Sequence, residues 1–321
     1  MGYLTKYGTF WGQIPQTAGR LYWVAPSASY TVEGRTYPAS DNNDGLSPER
    51  ALRTIDYAVG LCTASVGDVI VLLPGAHTTT GAIAVDVAGI TITGMPGATA
   101  TPGLKMPSGG SRMRTSVTQA TAATNVFTVT ATDVEIAYLH IIPVASGAAI
   151  SASNAADRLY VHDCTYNITT AEATDTFGIA FPLGTGTTTA NDDSIIRNCY
   201  FYVSGNQGPA VRAAGTLIGC SIENSTFYLS GTTAWDDAIE ITLAGSLGNA
   251  IRDCDFITQG FGTVMTDAID VTGATTDGGT HAYRCYFPQG TDAFEASATI
   301  DIYAAECYLA TSTGGALTGS S

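Results

Sequence analysis

The stretch VHDCTY (161–166) returns along the chain as IRNCYF (196–201), IENSTF (222–227), IRDCDF (251–256), AYRCYF (282–287) and AAECYL (304–309). Each copy has a polar residue, then Cys or Ser, a variable residue, and an aromatic or aliphatic one. A second pattern precedes each copy: SGAAIS (146–151), TFGIAF (176–181), GPAVRA (208–213), DDAIEI (236–241), TDAIDV (266–271) and TDAFEA (291–296), with GGAL (314–317) opening a seventh. From Ile150 through Ile179, Val211, Ile239, Ile269 and Phe294 to Leu317 the steps are 29, 32, 28, 30, 25 and 23 residues. Two short strands per unit of that size, separated by Gly, Asn, Asp and Thr, describe the coil of a solenoid. The period is too short for a four-stranded propeller blade, and helical repeats would need apolar residues at i, i+3, i+4 and i+7. The pattern predicts an all-β fold, a right-handed single-stranded parallel β-helix of roughly seven to nine coils. Equivalent side chains then stack about 4.8 Å apart. Cys164, Cys199, Ser225, Cys254, Cys285 and Cys307 form one such column, predicted to face inward as reduced thiols.

Composition agrees. The chain has 321 residues, 45% hydrophobic and only 13% charged, with 36 glycines; that excludes a disordered chain and disfavours a helical bundle. Charge is split unevenly. Residues 1–114 hold seven acids and eight bases, whereas 115–321 hold 21 acids and five arginines, so +1 and −16 sum to the net −15. Acidity of this order argues against nucleic acid and against anionic lipid as partners. No apolar run reaches the ~18 residues of a membrane span, and MGYLTKYGTFWGQ lacks the apolar core of a signal peptide. Assembly in a cytosol is the expectation.

Upstream of the repeats, GDVIVLLPG (67–75), GITITG (89–94), NVFTVT (125–130) and DVEIAYLHI (133–141) read as earlier strands. SPERALRTIDYAVGLC (47–62) reads as one helix, with Ser47 as N-cap and Pro48 at the first helical position, and it caps the open end of the solenoid. Residues 1–40 carry aromatics without the repeat. They read as an extended N-terminal arm for docking or oligomerisation, with Tyr7, Phe10, Trp11, Tyr22 and Trp23 as interface anchors, or else as a segment packed on its own β-helix. The β-helix domain proper is then 41–321.

DGLSPERALRTIDYAV (44–59), GDVIVLLPG, GITITG and the repeated I-x-N/D-C-x-F resemble the pectin-lyase-like right-handed β-helix proteins over residues 41–321. The resemblance implies the fold and not an activity, since the same scaffold serves lyases, hydrolases, adhesins and inert structural proteins. The opening MGYLTKYGTFWGQIPQTAGRLYWVAPSASYTV (1–32) is similar to the start of β-helix proteins found among bacteriophage virion genes. That second resemblance implies a homotrimer bound to a major capsid or other virion protein.

Columns are where a β-helix would build a site. Asp237, Asp267 and Asp292 align, and Glu240, Asp270 and Glu295 align three residues later. Carboxylates one strand spacing apart match a retaining glycosidase pair, ~5–5.5 Å; Asp237, Asp267 and Asp270 also offer hard oxygens for Ca²⁺; or the acids merely start strands and face solvent. Arg212, one coil before Glu240, is the base a lyase would need. No Tyr or Trp platform for sugars is evident in the groove. The position before each cysteine (Asp163, Asn198, Asn224, Asp253, Arg284, Glu306) reads as a turn ladder, and Arg197–Glu223–Arg252 as a surface ion-pair column. DNNDG (41–45) misses EF-hand spacing and reads as a turn. The four histidines show no ligand spacing, and no motif for a cofactor, a nucleophile elbow or a phosphate loop occurs. The sequence therefore points first to a non-enzymatic virion protein, a capsid decoration or head-surface protein held by its arm. A spike would be expected to carry more coils and a receptor domain before an end such as ALTGSS. A tail spike or secreted polysaccharide-degrading enzyme, or a carbohydrate-binding adhesin, is the alternative.

Overall fold

The computed structural model describes residues 19–95, 115–168, 176–181, 191–204, 208–230, 235–242, 246–258, 265–271, 279–288, 292–295 and 302–309. Three long sheets run along the chain, of ten, nine and eight strands, and every pairing within them is parallel. A coil takes one strand from each in turn: Tyr160–His162 in the first sheet, Thr165–Ile168 in the second and Phe177–Phe181 in the third, before Ile195–Arg197 reopens the first. Among the described residues eight coils contribute to all three sheets, within the expected range.

The repeats dictate this winding through two corners. Between the first and second sheets the turn residue is Asp163, Asn198, Asn224, Asp253, Arg284 or Glu306, each with φ between 50° and 54°. The left-handed conformation reverses direction in one step and, glycine apart, suits Asn and Asp best. Asn224 Nδ2 donates to Asn198 Oδ1 at 2.6 Å, and Arg284 grips Asp253 through Nε and Nη2 at 2.6 and 2.7 Å. A second left-handed corner precedes the first sheet at Gly67, Gly89, Asp133, Arg158, Asp193, Gly219, Gly248 and Gly279.

Inside, the columns are those of the repeat. Ile83, Phe127, Ile150, Ile179, Val211, Ile239, Ile269 and Phe294 are in register. Tyr166, Phe201, Phe227, Phe256 and Phe287 stack face to face with centroids 4.5–5.0 Å apart. The cysteine column is buried. Each thiol lies beside a carbonyl of the coil before, as Cys254 Sγ does to Ile222 O at 3.6 Å.

The N-terminal end departs from expectation in two respects. Residues 47–62 are not one helix. Pro48–Arg50 is a 3₁₀ turn with no side-chain cap from Ser47, and the α-helix is Ile55–Leu61, capped by Thr54 Oγ1 on the Tyr57 amide. The break arises because Leu52 bridges to Val24 in extended conformation, while the Asp41 carboxylate accepts the amides of Arg53 and Thr54. The helix still closes the barrel end, burying Ile55, Ala58 and Val59 against the core. Second, Tyr22 and Trp23 are not available as anchors on an arm. Leu21–Val24 is the first strand of the ten-stranded sheet, paired with Val69–Leu72. Tyr22 enters the main core, and Trp23 is buried with Tyr30, Val32 and Val71 beneath the hairpin of Ser29–Val32 and Arg35–Pro38. The solenoid thus begins at Leu21 rather than near 41. Tyr7, Phe10 and Trp11 lie outside the described residues.

Candidate functional site

The eight-stranded sheet carries the acid columns. Asp237 pairs with Asp267 and Asp267 with Asp292; Arg212, Glu240, Asp270 and Glu295 follow one another in the next column. The register is the one the repeat predicts. It does not bring the columns together, because side chains alternate across a strand. Asp237 and Asp267 share the parity of Ile239 and Ile269, whose side chains fill the core, while Glu240 and Asp270 fall on the opposite face. Asp267, 5% exposed, sits in sequence between buried Met265 and Ile269, and Asp270 on the opposite face is itself only 9% exposed. A spacing of three, suited to one face of a helix, divides the carboxylates in a strand. On the outer face Arg212 Nε lies 3.4 Å from Glu240 Oε2, and its guanidinium sits 5.2 Å from the Phe177 ring centre. The cation is thus built into a stack rather than held beside open carboxylates.

A second constellation was not foreseen. His162, on the ten-stranded sheet, is clamped between carboxylates: Nε2 to Glu135 Oε1 at 2.9 Å and Nδ1 to Asp163 Oδ2 at 2.8 Å. Tyr160 stacks on the ring at 4.3 Å and Tyr138 meets it edge-on at 5.5 Å. Thr91 Oγ1 donates to the other Glu135 oxygen at 3.1 Å. Burial alone would push this imidazole down; the Asp163 and Glu135 carboxylates outweigh it, and the group is raised to about 9. Near neutrality His162 is therefore an imidazolium with both N–H groups engaged. Such a group holds coils together and has no free nitrogen for proton transfer. Aligning DVEIAYLHI with the later copies sets Glu135 one coil before Tyr160, two residues from His162; that alignment was the available signal.

The outer faces hold two further features. Glu223 stands in register with Arg197 and Arg252, with Arg252 Nη1 3.8 Å from Glu223 Oε1, as the sign alternation implied. The nine-stranded sheet does carry clustered tyrosines, contrary to expectation: Tyr202 stacks on Tyr228 at 5.8 Å and Tyr200 lies 6.2 Å from it. Spacings of 26 and 28 residues had hidden the cluster. DNNDG is a turn, with Asp41 and Asp44 accepting backbone amides. Among the described residues no group of three or more His, Cys, Asp or Glu is arranged to hold a metal ion, and no helix is long and apolar enough to cross a membrane.

No protein-family model matches the chain, and no curated protein does. Solved structures do. The pectin methylesterase of Aspergillus niger aligns over 83% of this chain and 85% of its own at 12% identity, with a TM-score of 0.53. Escherichia coli ybhc aligns over 84% and 72% at 13% identity, also with 0.53. A protein of Geobacillus virus E2, ORF18, aligns over 79% and 57% at 13% identity, with a lower score of 0.39. The first two likenesses establish architecture: the chain is a right-handed parallel β-helix of the pectin-lyase-like fold. At such identities they carry no activity across.

Proposed function

We propose that the chain is a non-enzymatic structural protein of a bacteriophage virion, a capsid decoration or head-surface protein that assembles in the host cytoplasm as a homotrimer. The observation that carries this reading is the division of the acid columns across the two faces of their sheet. The residues best suited to hydrolysis or lyase chemistry do not converge on one open groove, and Arg212 is engaged by Glu240 and Phe177. The similarity of residues 1–32 to virion β-helix proteins supports the location. The charge distribution supports the orientation: contact through the neutral N-terminal third keeps the −16 segments apart and presents acidity outward. With Tyr22 and Trp23 committed to the core, the docking segment is residues 1–18, anchored by Tyr7, Phe10 and Trp11.

Deletion of residues 1–18 tests this, since it spares the first strand and the helix. The truncated protein should keep the circular dichroism and melting temperature of the full chain. It should elute as a monomer in light-scattering chromatography and fail to co-sediment with particles. Unchanged assembly and particle binding would overturn the proposal. The in-register outer pair Glu240–Asp270 keeps a carbohydrate-active reading as the second. Release of reducing ends or unsaturated products from polysaccharide, abolished by Glu240→Gln, would favour it.

A further inference from the structure

A cavity of about 320 Å³ opens beside the capping helix, between the ends of the nine- and eight-stranded sheets. Its volume is near the lower bound of small-molecule sites, ~300 Å³. Its walls combine an apolar part, which includes Ile83 and Val117, with four threonines and three ionisable groups, Arg53, Asp56 and His77. His77 is 96% buried by its 4% exposure, yet it lines the cavity. Its Nε2 lies 2.9 Å from the Leu73 carbonyl. A carbonyl can only accept, so Nε2 carries the proton and Nδ1 keeps a lone pair, for which no described residue supplies a donor. Burial, with Arg53 nearby, lowers His77 to about 4, so the ring is neutral at physiological pH. Among the described residues the Arg53 guanidinium has no carboxylate partner; Asp41 engages only its backbone amide. Asp56 Oδ1 accepts the Ala84 amide at 3.0 Å, and its second oxygen has no described partner.

A fork of donors, two acceptors and an apolar wall specify a complementary molecule. We propose that this cavity binds a small hydroxycarboxylate. Its carboxylate pairs with the Arg53 guanidinium, a neighbouring hydroxyl donates to His77 Nδ1, a second hydroxyl donates to Asp56, and its carbon skeleton lies on Ile83 and Val117. Fork-to-fork pairing gives the guanidinium its preference for carboxylate. Inorganic phosphate has no carbon skeleton to cover Ile83 and Val117 and is disfavoured. The site is independent of the acid columns and of the virion reading.

Calorimetry on the full chain with gluconate, glucose and inorganic phosphate as probes tests the proposal. Gluconate should bind saturably at one site per chain, with glucose and phosphate about tenfold weaker or worse. Arg53→Gln, which removes no described side-chain contact, should weaken gluconate about tenfold or more. ¹⁵N spectra, simplified by the presence of only four histidines, should show the His77 Nδ1 resonance shifting on gluconate addition in the wild type, a readout that does not depend on the variant folding. Glucose or phosphate binding as tightly as gluconate, undiminished affinity in the Arg53→Gln variant, or a stationary His77 signal would each overturn it.

Discussion

At His162 the imidazole meets a carboxylate from its own coil and another from the coil before, and the consequence is a dependence of stability on pH. The folded group titrates at about 9, against about 6.5 for an unperturbed imidazole. Its stabilisation is therefore fully present below pH 6.5 and is lost as the pH rises through 9. The shift is worth on the order of 3 kcal/mol. Urea melts of the wild type should show midpoints falling between pH 6.5 and 9.5, and His162→Gln should flatten that slope while lowering stability at pH 6. Tyr166 supports an opposite prediction. It is the sole tyrosine in an otherwise phenylalanine stack, fully buried, with its hydroxyl beside the Cys199 thiol. Replacing it by Phe removes a poorly solvated polar atom and keeps the stacking, so the melting temperature should hold or rise. Phe227→Ala, in the middle of the same stack, should cost about 3–5 kcal/mol. These residues also mark what the sequence could and could not reveal. The inward columns were legible because the repeat aligns identical positions. The His162 clamp was not, because its partner sits on the diagonal and the copy bearing Glu135 has Tyr138 and Leu139 where later copies have a polar or charged residue and then Cys or Ser.

Among the elements, the corners and the cap illustrate how context overrides local preference. Ser-Pro-Glu followed by an apolar periodicity satisfies every local rule for a helix start at 47, yet an extended bridge from Leu52 to Val24 and the Asp41 carboxylate postpone the helix to Ile55. Those partners lie 28 and 12 residues away and are invisible to any window of sequence. The left-handed corners, by contrast, were readable as a polar turn ladder, though the presence of Arg284 and Glu306 shows that the position asks for backbone geometry before side-chain chemistry. Asn224 tests this. Asn224→Gly gives up only the amide bond to Asn198 and should cost under about 1 kcal/mol. Asn224→Val places a β-branched residue at φ 50° and should cost more than 1–2 kcal/mol, read as the difference in melting temperature between the two variants.

For the whole molecule, the six cysteines at 164, 199, 220, 254, 285 and 307 are buried and unpaired with one another, while Cys62 is half-buried. Burial raises the Cys199 thiol to about 12, as it does the Cys62 thiol, so neither is an activated nucleophile. Mass spectrometry after brief alkylation of the folded protein should find at most one adduct per chain, at Cys62, and seven after denaturation. Rapid native labelling of the column would mean that the coils open locally. Overall architecture was the most legible level, because a solenoid writes the same instruction many times. The functional level was the least, since a spacing of three that would gather carboxylates on a helix separates them on a strand.

The parallel register from coil to coil also has a mechanical meaning. Each coil is attached only to its neighbours, and the backbone bonds that join them point along the axis. A load applied across the coils must shear many bonds at once, whereas a load on the C-terminal end meets them one coil at a time. Tension from that end would unzip the protein in small, repeated steps, each releasing roughly 100 Å of chain for some 30 residues. The stacked aromatics would set the force of each step, and the helix-capped end, tied through Val24, Leu52 and Asp41, would be the last to yield.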